Sequence, residues 1–86
     1  MNPHNIIKYP VSSEKAVRLM ESDNKLTFIV DRKSNKTEIK KALEKLFKIK
    51  IEKISSLILP NGKKKIYVRL HPETPAIDVA TKLGLI

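Results

Sequence analysis

No cysteine occurs among the 86 residues. Disulfides, thiol chemistry and thiolate metal sites are thereby excluded, and a reducing intracellular compartment fits. The only two glycines are Gly62 and Gly84, too few for a Gly-rich loop that cradles phosphates. His4 and His71 are the only histidines, and without cysteine they predict no metal site and no cofactor. Aromatic residues number four: Tyr9, Phe28, Phe47 and Tyr67. A sheet that stacks several bases in the manner of an RRM needs more, and the GXXG loop of a KH module is missing. No apolar run approaches the roughly 20 residues needed to span a bilayer, so direct membrane insertion is not expected. The start Met1-Asn2-Pro3-His4 has no charged segment leading into an apolar one, which predicts no signal peptide. No activated nucleophile is evident either. Ser12 and Ser13 precede a predicted helix and read as caps, and Glu14, Glu21 and Asp23 read as solvated surface carboxylates. An enzyme with a small-molecule substrate is therefore not expected.

Acidic residues are also scarce. Nine Asp and Glu stand against eighteen basic residues, fifteen of them lysine, for a net charge of +9. The excess is local: residues 1–30 carry +1, residues 31–65 carry +8, and residues 66–86 are neutral. Such concentration reads as a contact surface for a polyanion. Lysine is a point charge suited to phosphate backbones. Lysine enrichment also accompanies adaptation to heat, and a charge run is often only a solvated face. With 41% hydrophobic residues the chain can build a core, and its length predicts one domain spanning residues 1–86.

The hydrophobic pattern predicts β-α-β-α-β-β-α. Asn5 to Lys8 reads as a short strand ended by Pro10. Ser12 or Ser13 caps a helix to about Ser22, with Ala16, Val17, Leu19 and Met20 on one face. Leu26, Phe28 and Val30 alternate with Thr27 and Ile29, a strand with one strongly buried face. Asn35 as N-cap and Glu38 at N3 predict a capping box. Ile39, Ala42, Leu43, Leu46 and Phe47 form the apolar stripe of the following helix. A strand from about Ile49 to Leu59 and another from Lys64 to Leu70 flank a tight Asn61-Gly62 turn. Thr74-Pro75 opens a last helix with Pro75 at N1 and Ile77, Ala80 and Leu83 inward. Gly84 closes it, and Leu85 and Ile86 pack back onto the domain. The fold class is α+β, an antiparallel sheet with helices packed on it.

Two basic clusters emerge from this order. Lys36, Lys40 and Lys41 lie in the first turns of the second helix, where backbone N–H groups also favour anions. Lys63, Lys64 and Lys65 project from the hairpin. Phe28 and Phe47 belong to apolar stripes, which leaves Tyr67 and Tyr9 for stacking. Recognition of a folded RNA by shape and backbone follows as the mode. A generic nucleic-acid-binding or RNA-chaperone module, and a basic adaptor for an acidic protein partner, stand as alternatives.

Three segments carry a family resemblance over essentially the whole chain. The run from Ile7 to Ala16, with Pro10 ahead of Ser13-Glu14-Lys15-Ala16, is similar to the start of the first helix in the large-subunit ribosomal protein L23 family. The stretch from Asn35 to Phe47 resembles that family's most recognisable segment, and Lys64-Lys65-Ile66-Tyr67-Val68-Arg69-Leu70 resembles its last strand. The chain looks like the short archaeal form. The resemblance implies a structural constituent of the cytoplasmic large ribosomal subunit, bound to large-subunit rRNA near the nascent-chain tunnel exit. It implies ribosomal protein L29 as neighbour, and transient docking of signal recognition particle and the protein-conducting channel. The rRNA-facing positions it implies are Lys15, Asn35, Lys36, Lys40 and the hairpin Lys63, Lys64 and Lys65, joined by Tyr67 and Arg69 on the return strand; the two basic clusters add Lys41, Asn61 and Gly62 as expected RNA-binding residues. Glu14 matches an acidic position associated with factor docking. This sequence also departs from the family. The turn before Lys63 is too short for the tunnel-probing loop of bacterial members, and the basic N-terminal extension of eukaryotic members is not expected. Ile66 replaces a small residue at an expected core position. Lys48 replaces an acidic residue, so docking of a bacterial-type ribosome chaperone is not implied.

Overall fold

The computed structural model describes residues 6–84. Its elements are β1 (Ile7–Pro10), α1 (Glu14–Asp23), β2 (Lys25–Val30), α2 (Lys36–Phe47), β3 (Ile51–Ile58), β4 (Lys64–Leu70) and α3 (Ala76–Lys82). The order is the expected β-α-β-α-β-β-α, and the class is α+β. The four strands form one antiparallel sheet in the order β1-β2-β4-β3. The expected packing of Leu85 and Ile86, and a strand start at Asn5, fall outside the described residues.

Alternation along each strand sends one set of side chains to the helices and the other set away from them. Leu26, Phe28 and Val30 of β2 and Ile66, Val68 and Leu70 of β4 meet Ile39, Ala42 and Leu43 of α2, Met20 of α1, and Ala76, Val79 and Ala80 of α3 in one buried cluster. Ile66 is fully buried, as its place in the strand predicts. Phe28 and Phe47 stack with ring centroids 5.6 Å apart, which assigns both aromatics to packing. Side chains buried to this degree contribute about 1.5–3 kcal/mol each relative to exposure. Among the described residues, all three helices therefore occupy one face of the sheet, and no described element covers the other face.

Four local expectations change. β1 ends two residues beyond the expected Lys8 and includes Pro10. This is permitted because β1 is an edge strand, where a missing N–H breaks no ladder on the outer side. β3 starts at Ile51, not Ile49. Lys48 ends α2 in the left-handed region (φ 52°), and Ile49 drops into the core before pairing begins. The tight hairpin turn is a three-residue loop in which Asn61 does not take the expected positive φ. Leu59 N–H donates to the Lys63 carbonyl (2.8 Å), and Gly62, with φ +86°, is the left-handed residue the loop needs. In α3, Pro75 is the N-cap residue and Ala76 the first helical one. The buried face is consequently Ala76, Val79 and Ala80, with Ile77 and Leu83 only half-buried. The other caps are as predicted. Ser13 accepts from Ala16 N–H at 3.2 Å, and Asn35 and Glu38 complete a capping box.

Candidate nucleic-acid interface

Strand register defines the helix-free face, because directly paired residues in an antiparallel sheet point to the same side. Lys25 of β2 pairs with Arg69, which pairs with Lys53 of β3. Thr27 pairs with Tyr67 and Tyr67 with Ser55, and Ile29 pairs with Lys65 and Lys65 with Leu57. On the outer side of β2, Tyr9 of β1 pairs with Ile29. Four cations and two tyrosines thus share one face, and none of these register positions holds a carboxylate. Asp23 approaches Lys25 at its margin, at 3.8 Å.

The ammonium of Lys65 lies over the Tyr67 ring, 5.4 Å from its centroid. Lys63, at the hairpin tip, reaches across to β1. Its Nζ sits 5.5 Å from the centroid of Tyr9 and donates to the Tyr9 hydroxyl at 3.1 Å. Beside this bridge is an open groove of about 550 Å³ lined by Lys8, Tyr9, Ile29, Val30, Asp31, Arg32, Gly62 and Lys63. Thr27 is 3% exposed, and its hydroxyl has no hydrogen-bond partner. The structure corrects the expectation that only one face of β2 is strongly buried. Thr27 and Ile29 are shielded on the helix-free side by the larger side chains that flank them from β1 and β4.

The helix-start cluster lies beside β3. Lys36, Thr37 and Lys40 share a shallow groove with Ile51, Glu52, Lys53 and Ile54. Lys53 therefore adjoins both the helix-free face and the start of α2, and the basic surface continues around the edge strand. Glu52 is the acidic residue within that groove. Lys41 is exposed on α2.

Not every predicted residue joins this surface in the same way. Lys64 alternates to the helix side, where its ammonium donates to the Ser34 carbonyl at 2.6 Å. Asn35 Oδ1 accepts from Glu38 N–H at 2.8 Å, and Asn61 Oδ1 accepts from Lys63 N–H at 3.0 Å. These three side chains build the frame that carries their neighbours. Lys15 is exposed on α1, in the helix layer, and not on the helix-free face. Glu14, one residue earlier, pairs with Arg18 at 2.7 Å on an exposed surface. Lys8, Lys25, Arg32 and Lys53 were not singled out by sequence reasoning. The alternation Lys25-Thr27-Ile29 and Lys53-Ser55-Leu57 carried a signal for two of them. Arg32 had none, since only the fold brings its loop to the hairpin. Among the described residues no three His, Asp or Glu converge as a metal site would require, and no helix is long and apolar enough to cross a membrane.

Comparison with known proteins adds to this geometry. Residues 5–78 match the model of the family described as Ribosomal protein L23. A curated relative in Trypanosoma brucei brucei, large ribosomal subunit protein uL23, is 51% identical over 81 residues. That alignment covers 94% of this chain and 49% of the relative, so the chain spans about half the length of the protein it matches.

Proposed function

The chain belongs to the ribosomal protein L23 family, and from that premise we propose that it is a structural constituent of the cytoplasmic large ribosomal subunit that binds large-subunit rRNA. One observation carries the reading. The sheet face left bare by the helices presents Lys25, Lys53, Lys65 and Arg69 around Tyr67, with no carboxylate at the intervening register positions. Cations so placed can meet phosphates, with Asp23 and Glu52 confined to the end of the face beside Lys25 and Arg69. Lys63 extends it at the hairpin tip, and Lys36, Lys40 and Lys41 extend it around β3. Binding releases counterions from the RNA and holds its local fold. The reading agrees with the expectation that the chain is not an enzyme, since it belongs to a family of structural proteins.

The finer assignments rest on the family resemblance. They are a position near the nascent-chain tunnel exit, ribosomal protein L29 as neighbour, and docking of signal recognition particle and the protein-conducting channel. The three-residue loop Pro60-Asn61-Gly62 is too short to probe a tunnel, so no tunnel-probing role is proposed. Glu14 is accessible on α1, in the layer opposite the basic face, where a docking factor has room beside bound RNA.

Co-sedimentation tests the proposal. The tagged chain, expressed in cells, is expected to run with large subunits and to stay there through a high-salt wash. In vitro, a large-subunit rRNA fragment should outcompete duplex DNA of equal length. Equal affinity for both would favour a generic nucleic-acid module, and release from subunits in the wash would favour a protein adaptor. For the docking role, Glu14→Lys should weaken signal recognition particle binding to ribosomes while leaving subunit incorporation intact.

A further inference from the structure

We infer that the groove between β1 and the hairpin tip holds a single unpaired nucleotide of the bound RNA, with its base against Tyr9 and its phosphate between Arg32 and Lys63. This deepens the rRNA-binding reading and rests on it. Tyr9 is 46% exposed although it sits on a sheet face beside the buried Ile29. Its ring and the Ile29 side chain give the groove an apolar wall and floor. Three cations, Lys8, Arg32 and Lys63, rim that apolar patch. The one acid nearby, Asp31, is turned into its own bend, where its Oδ1 accepts from Lys33 N–H at 3.0 Å. The groove volume of about 550 Å³ lies within the range of small-molecule sites, roughly 300–1,000 Å³. Gly62 is part of the groove's rim, and its φ of +86° disfavours any side chain there.

The combination matters more than any one part. A paired RNA strand offers phosphates, sugars and base edges but no free base face, and lysines alone suffice for its phosphates. An aromatic ring on an apolar floor, ringed by cations, suits a base that has left its stack. Lys63 couples the two halves. Its ammonium already lies over the Tyr9 ring and donates to the Tyr9 hydroxyl. A phosphate placed at the rim takes over that ammonium and frees the ring for stacking.

The test uses the full chain and two RNA hairpins with identical stems, one fully paired and one with a single bulged 2-aminopurine. The chain has two tyrosines and no tryptophan, so in the Tyr67→Phe variant tyrosine emission reports Tyr9 alone. The expected results are about tenfold tighter binding of the bulged hairpin, quenching of the Tyr9 emission, and loss of the preference in Tyr9→Leu. Arg32→Gln should weaken both hairpins and lower the salt slope by about one. Circular dichroism of each variant separates these effects from unfolding. If both hairpins bind equally and the Tyr9 emission is unchanged, the nucleotide groove is overturned and the rRNA-binding reading stands. If neither hairpin nor the rRNA fragment binds, both are overturned.

Discussion

The Asn24 carboxamide oxygen accepts from the Ala76 backbone N–H at 2.6 Å, so the residue that ends α1 also caps α3. Its amide nitrogen lies within 3.2–3.3 Å of three carbonyls, those of Leu70, His71 and Thr74. Asn24 holds this position in the left-handed region, with φ 54°, which asparagine tolerates better than most residues. One side chain thereby ties the end of α1 to the end of β4 and the start of α3.

Asn24→Ala should lower stability by about 2–3 kcal/mol, from the lost cap, the released carbonyls and the strained backbone. For a chain of this size that is a fall in Tm of roughly 10–20 °C. Asn24→Gly removes the same hydrogen bonds but relaxes the backbone, and should recover about 1 kcal/mol of the loss. Thermal denaturation of the two variants separates the terms. A loss below about 0.5 kcal/mol in the alanine variant would mean that the clamp does not hold α3.

Thr27 makes the opposite case. Its buried hydroxyl has no partner, and the register places it beside Tyr67 on the helix-free face. An unsatisfied hydroxyl costs free energy that an apolar group of the same shape avoids. Thr27→Val should therefore leave the fold intact and be neutral to stabilising, by up to about 1 kcal/mol. Urea denaturation measures it. A destabilisation of more than about 1 kcal/mol would show that the hydroxyl has a partner in solution.

What the sequence made legible follows from the range of the interactions involved. The α2 stripe and its capping box lie within a dozen residues, and both formed as read. The order of elements followed from periodicity and turn residues. The clamp at Asn24 was not legible, because its partners lie 46 to 52 positions away. The Asp23-Asn24 pair read only as a helix stop. The candidate interface was half legible for the same reason. Lys65, Tyr67 and Arg69 alternate on one strand, but the groove requires β1, the loop after β2 and the hairpin tip to meet. Lys64 shows the limit most directly. It stands in a run of three lysines, and only the pleat distinguishes it from its neighbours.

That distinction is testable. Lys64 donates to the carbonyl of the buried Ser34, whereas Lys65 lies over Tyr67 on the open face. Lys64→Met should cost about 1 kcal/mol of stability, since a shielded carbonyl loses its charged donor, and should change RNA affinity little. Lys65→Met should leave the unfolding midpoint within about 0.5 kcal/mol and weaken RNA binding severalfold. Measuring both quantities for both variants decides the matter. If the two behave alike, the hairpin acts as an undivided charge cluster.

The extent of the interface should appear in its salt dependence. Lys25, Lys53, Lys63, Lys65 and Arg69 lie on the helix-free face and hairpin, and Lys36, Lys40 and Lys41 on the adjoining helix start. About five to eight phosphate contacts follow, and a log–log slope of affinity against salt of roughly −3.5 to −7. Changing Lys36, Lys40 and Lys41 together to glutamine should flatten the slope by about two to three if the basic surface wraps around β3 as one interface. All three are exposed, so their substitution should change stability little, and the unfolding midpoint serves as the control. An unchanged slope in that variant would confine the RNA to the sheet face and hairpin. A nearly flat slope in the unmodified chain would remove electrostatics as the basis of binding altogether.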